Sequence, residues 1–139
     1  MAHLAILQPD ARAEARLADA LTPGHTVSVV RAWAELRRFV ADGGVDGCLV
    51  DADSPSRDEA LMEIRRLRRE HPDLALVAYA DVHESDPELV SLGAAGVDGV
   101  LLARRPPWAS GIRRSVDGAL AGALARSLER ALRPRYPAA

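Results

Sequence analysis

Apolar residues along this chain alternate between two patterns: short continuous runs and longer stretches at helical spacing. His3 to Leu7, Thr26 to Val30, Cys48 to Val50, Leu74 to Tyr79 and Val97 to Leu102 are short apolar runs closed by turn residues. Runs of that length and composition predict strands buried on both faces of a parallel sheet. Between them the spacing becomes helical. Ala11 to Leu21 presents Ala15, Leu17, Ala18 and Leu21 as its apolar face, and Ala32 to Ala41 presents Trp33, Leu36 and Val40. Arg57 to Arg69 presents Leu61, Ile64 and Leu67, and its other face, with Arg65, Arg66, Arg68 and Arg69, reads as solvated. A short helix opens at Asp86-Pro87 and ends at Gly93 to Gly96, and a last one runs from about Trp108 to Leu132.

Strand and helix thus alternate five times, which predicts a (βα)5 doubly wound α/β fold with a parallel sheet covered by helices on both faces. Residues 1–132 are expected to form one domain with an extended last helix; residues 133–139 read as a tail or a truncated linker, because Pro134 and Pro137 do not continue a helix. The chain has 139 residues, 48% of them apolar but only 4% aromatic, so the core must be built from Ala, Leu and Val.

The last helix is longer than the sheet needs. From Pro107 to Leu132 it extends ~39 Å, whereas strands of five residues span ~17 Å. Ile112, Val116, Leu120, Leu124, Leu128 and Leu132 recur every four residues, with Ala119, Ala123, Ser127 and Ala131 alongside. A step of four rotates the stripe by ~40° each time, so its late part faces a different direction from its early part. This predicts a contact made by the helix end, either with a second copy or with an output domain.

The candidate chemistry sits at Asp46-Gly47-Cys48-Leu49-Val50-Asp51-Ala52-Asp53-Ser54-Pro55-Ser56. An apolar run ends on a carboxylate, Asp51, and a polar loop follows with a second one, Asp53. Open α/β sheets place ligands and chemistry at the carboxyl ends of their strands. Ser56 with Glu59 makes a capping box, so a helix starts at once. Asp10 reads as the cap of the first helix.

Charge and composition remove several functions. A net charge of −2 carries no footprint for nucleic acid. The apolar runs are too short to span a membrane. The single cysteine, Cys48, lies in a strand and fits a reducing cytosol. His3, His25, His71 and His83 lack metal-ligand spacing. No G-x-G-x-x-G follows the first strand. All 18 basic residues are arginine, and lysine does not occur.

The layout resembles the receiver domain of two-component response regulators over residues 3–128. The resemblance rests on Asp46 to Asp51 followed by Pro55, on Glu59 to Leu67, and on Gly93 through Gly96 to Leu102. It implies a flavodoxin-like sheet of strand order 2-1-3-4-5, and a phosphoacceptor aspartate at Asp51. It also implies an acidic pair that binds Mg²⁺, a small hydroxyl, a lysine and an aromatic switch residue. This chain has Gln8 and Pro9 at the acidic pair, Tyr79 at the hydroxyl, Ala103 at the lysine, and Val100 at the switch. Proline has no side-chain ligand and glutamine is a neutral one.

The expectation is a non-enzymatic pseudo-receiver that acts through protein contacts, within or beside a transcription regulator, with no Mg²⁺ and no other cofactor. Its pocket would be Gln8, Pro9, Asp10, Asp53, Tyr79, Ala103 and Arg104 around Asp51. By resemblance, its homodimer face would carry Leu89, Val100, Ile112, Val116, Leu120 and Leu124. Two other readings stay open: a working phosphoacceptor at Asp51, or a small-ligand module that uses the vacated pocket.

Overall fold

The computed structural model describes residues 2–22, 24–82, 85–102 and 108–133. Among these, five strands alternate with five helices: β1 (Ala2–Leu7), α1 (Ala11–Leu21), β2 (His25–Val30), α2 (Trp33–Ala41), β3 (Gly47–Asp51), α3 (Arg57–Glu70), β4 (Ala75–Ala80), α4 (Glu88–Ala95), β5 (Gly99–Leu102) and α5 (Trp108–Leu132). All neighbouring strands pair in parallel, in the order β2-β1-β3-β4-β5. The fold class is therefore the one read from the chain, and the strand order the one that the resemblance implied.

Side chains of a strand alternate between the two faces of the sheet, and the core divides accordingly. Cys48 and Val50 join Leu36, Ile64, Leu67 and Leu92 on the side of α2, α3 and α4. Leu49 joins Leu17, Leu21, Ile112 and Val116 on the side of α1 and α5. Both faces of β3 and β4 are covered, which is why their sequences are apolar throughout and show no alternation.

Local chemistry sets the ends of the helices. Asp10 Oδ1 accepts the Arg12 N–H at 2.9 Å and caps α1 as expected. Ser56 Oγ accepts the Glu59 N–H at 3.2 Å and caps α3. α4 ends at Gly96, whose φ of 118° is left-handed. An added Cβ there would lie 2.6 Å from Arg68 Cγ, so the position requires glycine twice over.

Five expectations are corrected. Ala15 is exposed, because 100° per residue sets it nearly opposite Leu17, which is buried. β4 begins one residue later than read and β5 two, at Gly99. Before β5, Asp98 uses its N–H on Leu76 O at 2.7 Å and its carboxylate on the Leu76 N–H at 2.9 Å, so the ladder starts after it.

Arg68 is not part of a solvated face. It reaches under α4 to donate to Gly96 O at 2.8 Å, Pro72 O at 3.0 Å, Leu74 O at 2.7 Å and Asp98 Oδ2 at 3.0 Å. Long arginine stems allow this from a position that faces outward on a helical wheel.

Ile112 and Val116 are core residues, 0% and 4% exposed, and do not belong to any dimer face. The early part of the α5 stripe is the part that seals the sheet.

Candidate functional site

Asp51 is the last residue of β3, half-buried, and aligned in register with Tyr79 of β4. Its Oδ1 accepts the Asp53 N–H at 2.8 Å, an Asx turn that carries the chain out of the sheet. Burial is the largest influence on its carboxyl and pushes the pKa up. The Asp53 N–H opposes that, the Asp53 charge adds to it, and the Arg57 charge opposes it.

The expected neighbours arrange themselves as follows. Gln8 is buried at 2% exposure, and its Oε1 accepts the Asp10 N–H at 3.0 Å. Pro9 is exposed, and its carbonyl accepts from Arg31 Nη1 at 3.3 Å. Asp10 caps α1. Asp53 Oδ2 accepts the Asp81 N–H at 2.8 Å, while its Oδ1 accepts from Arg57 Nε at 3.0 Å and also pairs with Arg57 Nη2. Tyr79 is half-buried and packs against the α1–α5 side of the core. Burial, and then the charges of Asp51, Asp10, Asp53 and Asp81 in that order, push its hydroxyl up. Ala103, Arg104 and Arg105, like His83, lie outside the described residues.

Two participants escaped the sequence reading. Arg57, the first residue of α3, binds Ala52 O at 3.1 Å, Asp53, and Glu88 at the start of α4. Its four-residue spacing from Asp53 was the available signal. Trp33 Nε1 donates to Ser54 O at 2.7 Å and fastens the loop to α2; nothing in the sequence spacing marks that contact. Two of the histidines have structural partners away from the site. His3 lies between Gly44 O and Ser28 Oγ, and His25 Nε2 meets Asp117 Oδ1 at 3.0 Å.

The site therefore holds a half-buried carboxylate at a strand end, near two acids, Asp10 and Asp53, that are engaged by a backbone N–H or a guanidinium. A cleft of about 780 Å³ opens elsewhere, at the amino-terminal edge of the sheet between α5 and the loops before β3 and β4.

No family model matches the chain, and no curated protein matches it. Solved structures do. NtrX from Brucella abortus in complex with ADP superposes with a TM-score of 0.80 at 16% identity, over 95% of this chain and 29% of that one. A response regulator from Thermotoga maritima gives 0.71 at 18% identity, over 84% of this chain and 98% of that one. The receiver domain of the TMAO respiratory system response regulator TorR gives 0.70 at 24% identity, over 91% and 98%. The chain has the receiver fold. It spans about a third of the NtrX chain and nearly the whole of the other two. Within that fold, Asp51 stands at the carboxyl edge of the central strand, where a doubly wound sheet exposes its loops. No described helix is long and apolar enough to cross a membrane.

Proposed function

We propose that this chain is a receiver-like regulatory module, not an enzyme. In this reading it acts through protein contacts as a homodimer, within or beside a transcription regulator in a reducing compartment. One observation carries the proposal: the acids around Asp51 are engaged within the chain. Asp10 caps a helix, and Asp53 is held by Arg57 and by the Asp81 N–H. Gln8 contributes a neutral amide oxygen that already accepts the Asp10 N–H. Mg²⁺ requires several oxygen ligands in near-octahedral array, preferably anionic. This donor set does not fit it, and no grouping of three or more His, Cys, Asp or Glu among the described residues suits a metal ion. The absence of lysine from the whole chain removes the usual point charge for a phosphoryl group, and Tyr79 extends its hydroxyl well beyond where a serine would hold one.

Asp51 is then the centre of a polar junction that links β3, α3 and α4. The reading is tested by incubating the protein with acetyl phosphate and Mg²⁺, followed by intact-mass spectrometry. A parallel amide NMR titration uses beryllofluoride. The expected result is no adduct and no shifts near Asp51. A stable phosphoryl adduct that disappears in Asp51→Asn would replace this proposal with that of a working phosphoacceptor.

A further inference from the structure

Helix α5 is held to the domain in two different ways along its length. Up to Ala123 the hold is apolar: Ile112, Val116, Ala119 and Ala123 are buried against the sheet. Beyond Ala123 no apolar residue is buried, and Arg126 alone among residues 124–133 is not fully exposed. The face that meets the domain nevertheless continues. Ala119, Ala123, Arg126 and Arg130 follow at steps of four, three and four residues, the spacing of one helix face. Where the sheet ends, arginine replaces alanine on that face.

Each arginine closes on an acid beside the start of β4 or β5. Arg126 Nη1 donates to Asp98 Oδ1 at 2.9 Å, and its Nη2 donates to Asp98 Oδ2 and Leu74 O, both at 3.3 Å. Arg130 Nη1 lies 3.5 Å from Asp73 Oδ2. Asp98 is a fixed anchor, because Arg68 and the Leu76 N–H also bind its Oδ2.

This clasp is incompletely satisfied. Among the described residues, two side-chain polar atoms are buried without a hydrogen-bond partner, Asp73 Oδ1 and Arg126 Nε, and both belong to it. Buried polar atoms in native proteins are nearly always paired, and an unpaired one carries a desolvation cost that exposure to water removes. Closing the helix end therefore leaves an uncompensated atom on each side of the clasp. Ion pairs as exposed as Arg130 and Asp73, at 48% and 40%, offset little of that.

We infer that the end of α5, from Leu124 to Leu132, is a strap held shut by its two arginines, which opens as a unit while the rest of the helix stays on the sheet. Its root forms one side of the cleft of about 780 Å³: Leu120, Ala123, Leu124 and Ser127 line the α5 wall, and Asp73 belongs to the wall made by the loop before β4. The Arg130–Asp73 pair thus joins the two walls, and opening the strap parts them and widens the cleft. The device governs access to the amino-terminal edge of the sheet, the edge opposite Asp51. It goes beyond the function proposed above, and depends neither on a dimer nor on phosphoryl transfer.

The two kinds of hold respond differently to salt, because added ions screen exposed charges and leave apolar packing in place. The test is hydrogen–deuterium exchange on the full chain, read on peptides from both parts of α5. Raising NaCl from about 0.05 to about 1 M should speed exchange of residues 125–132 by roughly threefold or more, with residues 112–123 unchanged. Arg126→Gln combined with Arg130→Gln should speed the same residues at low salt and abolish the salt response. Slow exchange of residues 112–123 in that variant reports that the domain is still folded. Arg130→Asp alone should speed the end, and adding Asp73→Arg should slow it again. An end that ignores salt, or both parts of α5 speeding up together, would overturn the strap. Failure of Asp73→Arg to slow the Arg130→Asp variant would overturn Asp73 as the fixed half of the clasp. None of these outcomes bears on whether Asp51 takes a phosphoryl group.

Discussion

Arg57 and Glu88 form an ion pair that ties the loop after β3 to the first turn of α4. Arg57 is the common member of a small network, since the same guanidinium holds Asp53 and the Ala52 carbonyl. A charge change at the carboxyl edge of β3 therefore has a short route to α4. Truncation at Arg57→Ala is expected to cost about 1 kcal/mol of stability, because exposed pairs are worth little individually and the carbonyl contact adds to them. Urea unfolding measures it. Arg57→Lys should recover less than half of the loss, because an ammonium cannot fork to Asp53 and Glu88 together.

Asp51 responds to pH in the sense opposite to a salt-bridged acid. Burial raises its folded pKa above the ordinary carboxylate value. Between those two values the folded state holds the proton more tightly than the unfolded state does. Its contribution to stability is thus lost as pH rises through that window and stays absent at neutral pH. Asp51→Asn preserves an acceptor for the Asp53 N–H and removes the buried charge. The variant should melt about 1–3 °C above wild type at pH 7, and the gain should shrink below the ordinary carboxylate pKa of about 3.9. Thermal scans across pH 3 to 7 read this directly, and a variant that melts lower at pH 7 would contradict it.

Most of the fold was legible because period and punctuation agree along the chain. The apolar strands, the Asp10 and Ser56 caps and the Gly96 stop all sit where local chemistry puts them. What was not legible depends on reach across space. Arg68 reads as surface on a helical wheel, yet its long side chain crosses to the Leu74 carbonyl just before β4 and to Asp98. The α5 stripe looks continuous, but Ile112 and Leu132 differ from 0% to 81% in exposure because the sheet ends beneath the helix. At the site, residue types alone indicated that Gln8 and Pro9 stand where the resemblance implies an acidic pair. That Asp10 and Asp53 have partners within the chain, and that Arg57 gathers two acids from separate elements, depends on loop geometry that periodicity does not carry.

Cys48 should be chemically silent in the native state. It is 3% exposed in β3, and burial pushes its thiol up to about 12 against a weaker opposing influence from Arg68. The thiolate is the reactive species, so iodoacetamide at pH 8 should leave the folded protein unmodified and label it fully in urea. Rapid native labelling would mean that β3 opens to solvent.

The larger loss of stability is expected at Arg68. Its guanidinium serves three backbone carbonyls and Asp98, and the pair is only 21% and 16% exposed. Asp98 in turn accepts the Leu76 N–H and Arg126, so one cluster joins α3, the end of α4, β4 and α5. Arg68→Met keeps most of the stem's packing and removes every donor, leaving Asp98 short of a partner and the carbonyls of Gly96, Pro72 and Leu74 without this one. Removing one side of a largely buried charge pair costs more than the pair is worth, because the other charge stays behind. The expected loss is about 2–4 kcal/mol in urea unfolding, with an unchanged denaturant slope. Asp98→Asn combined with Arg68→Met should cost less than the sum of the two single losses, since each already disables the same cluster. Strict additivity would show that Arg68 and Asp98 act independently.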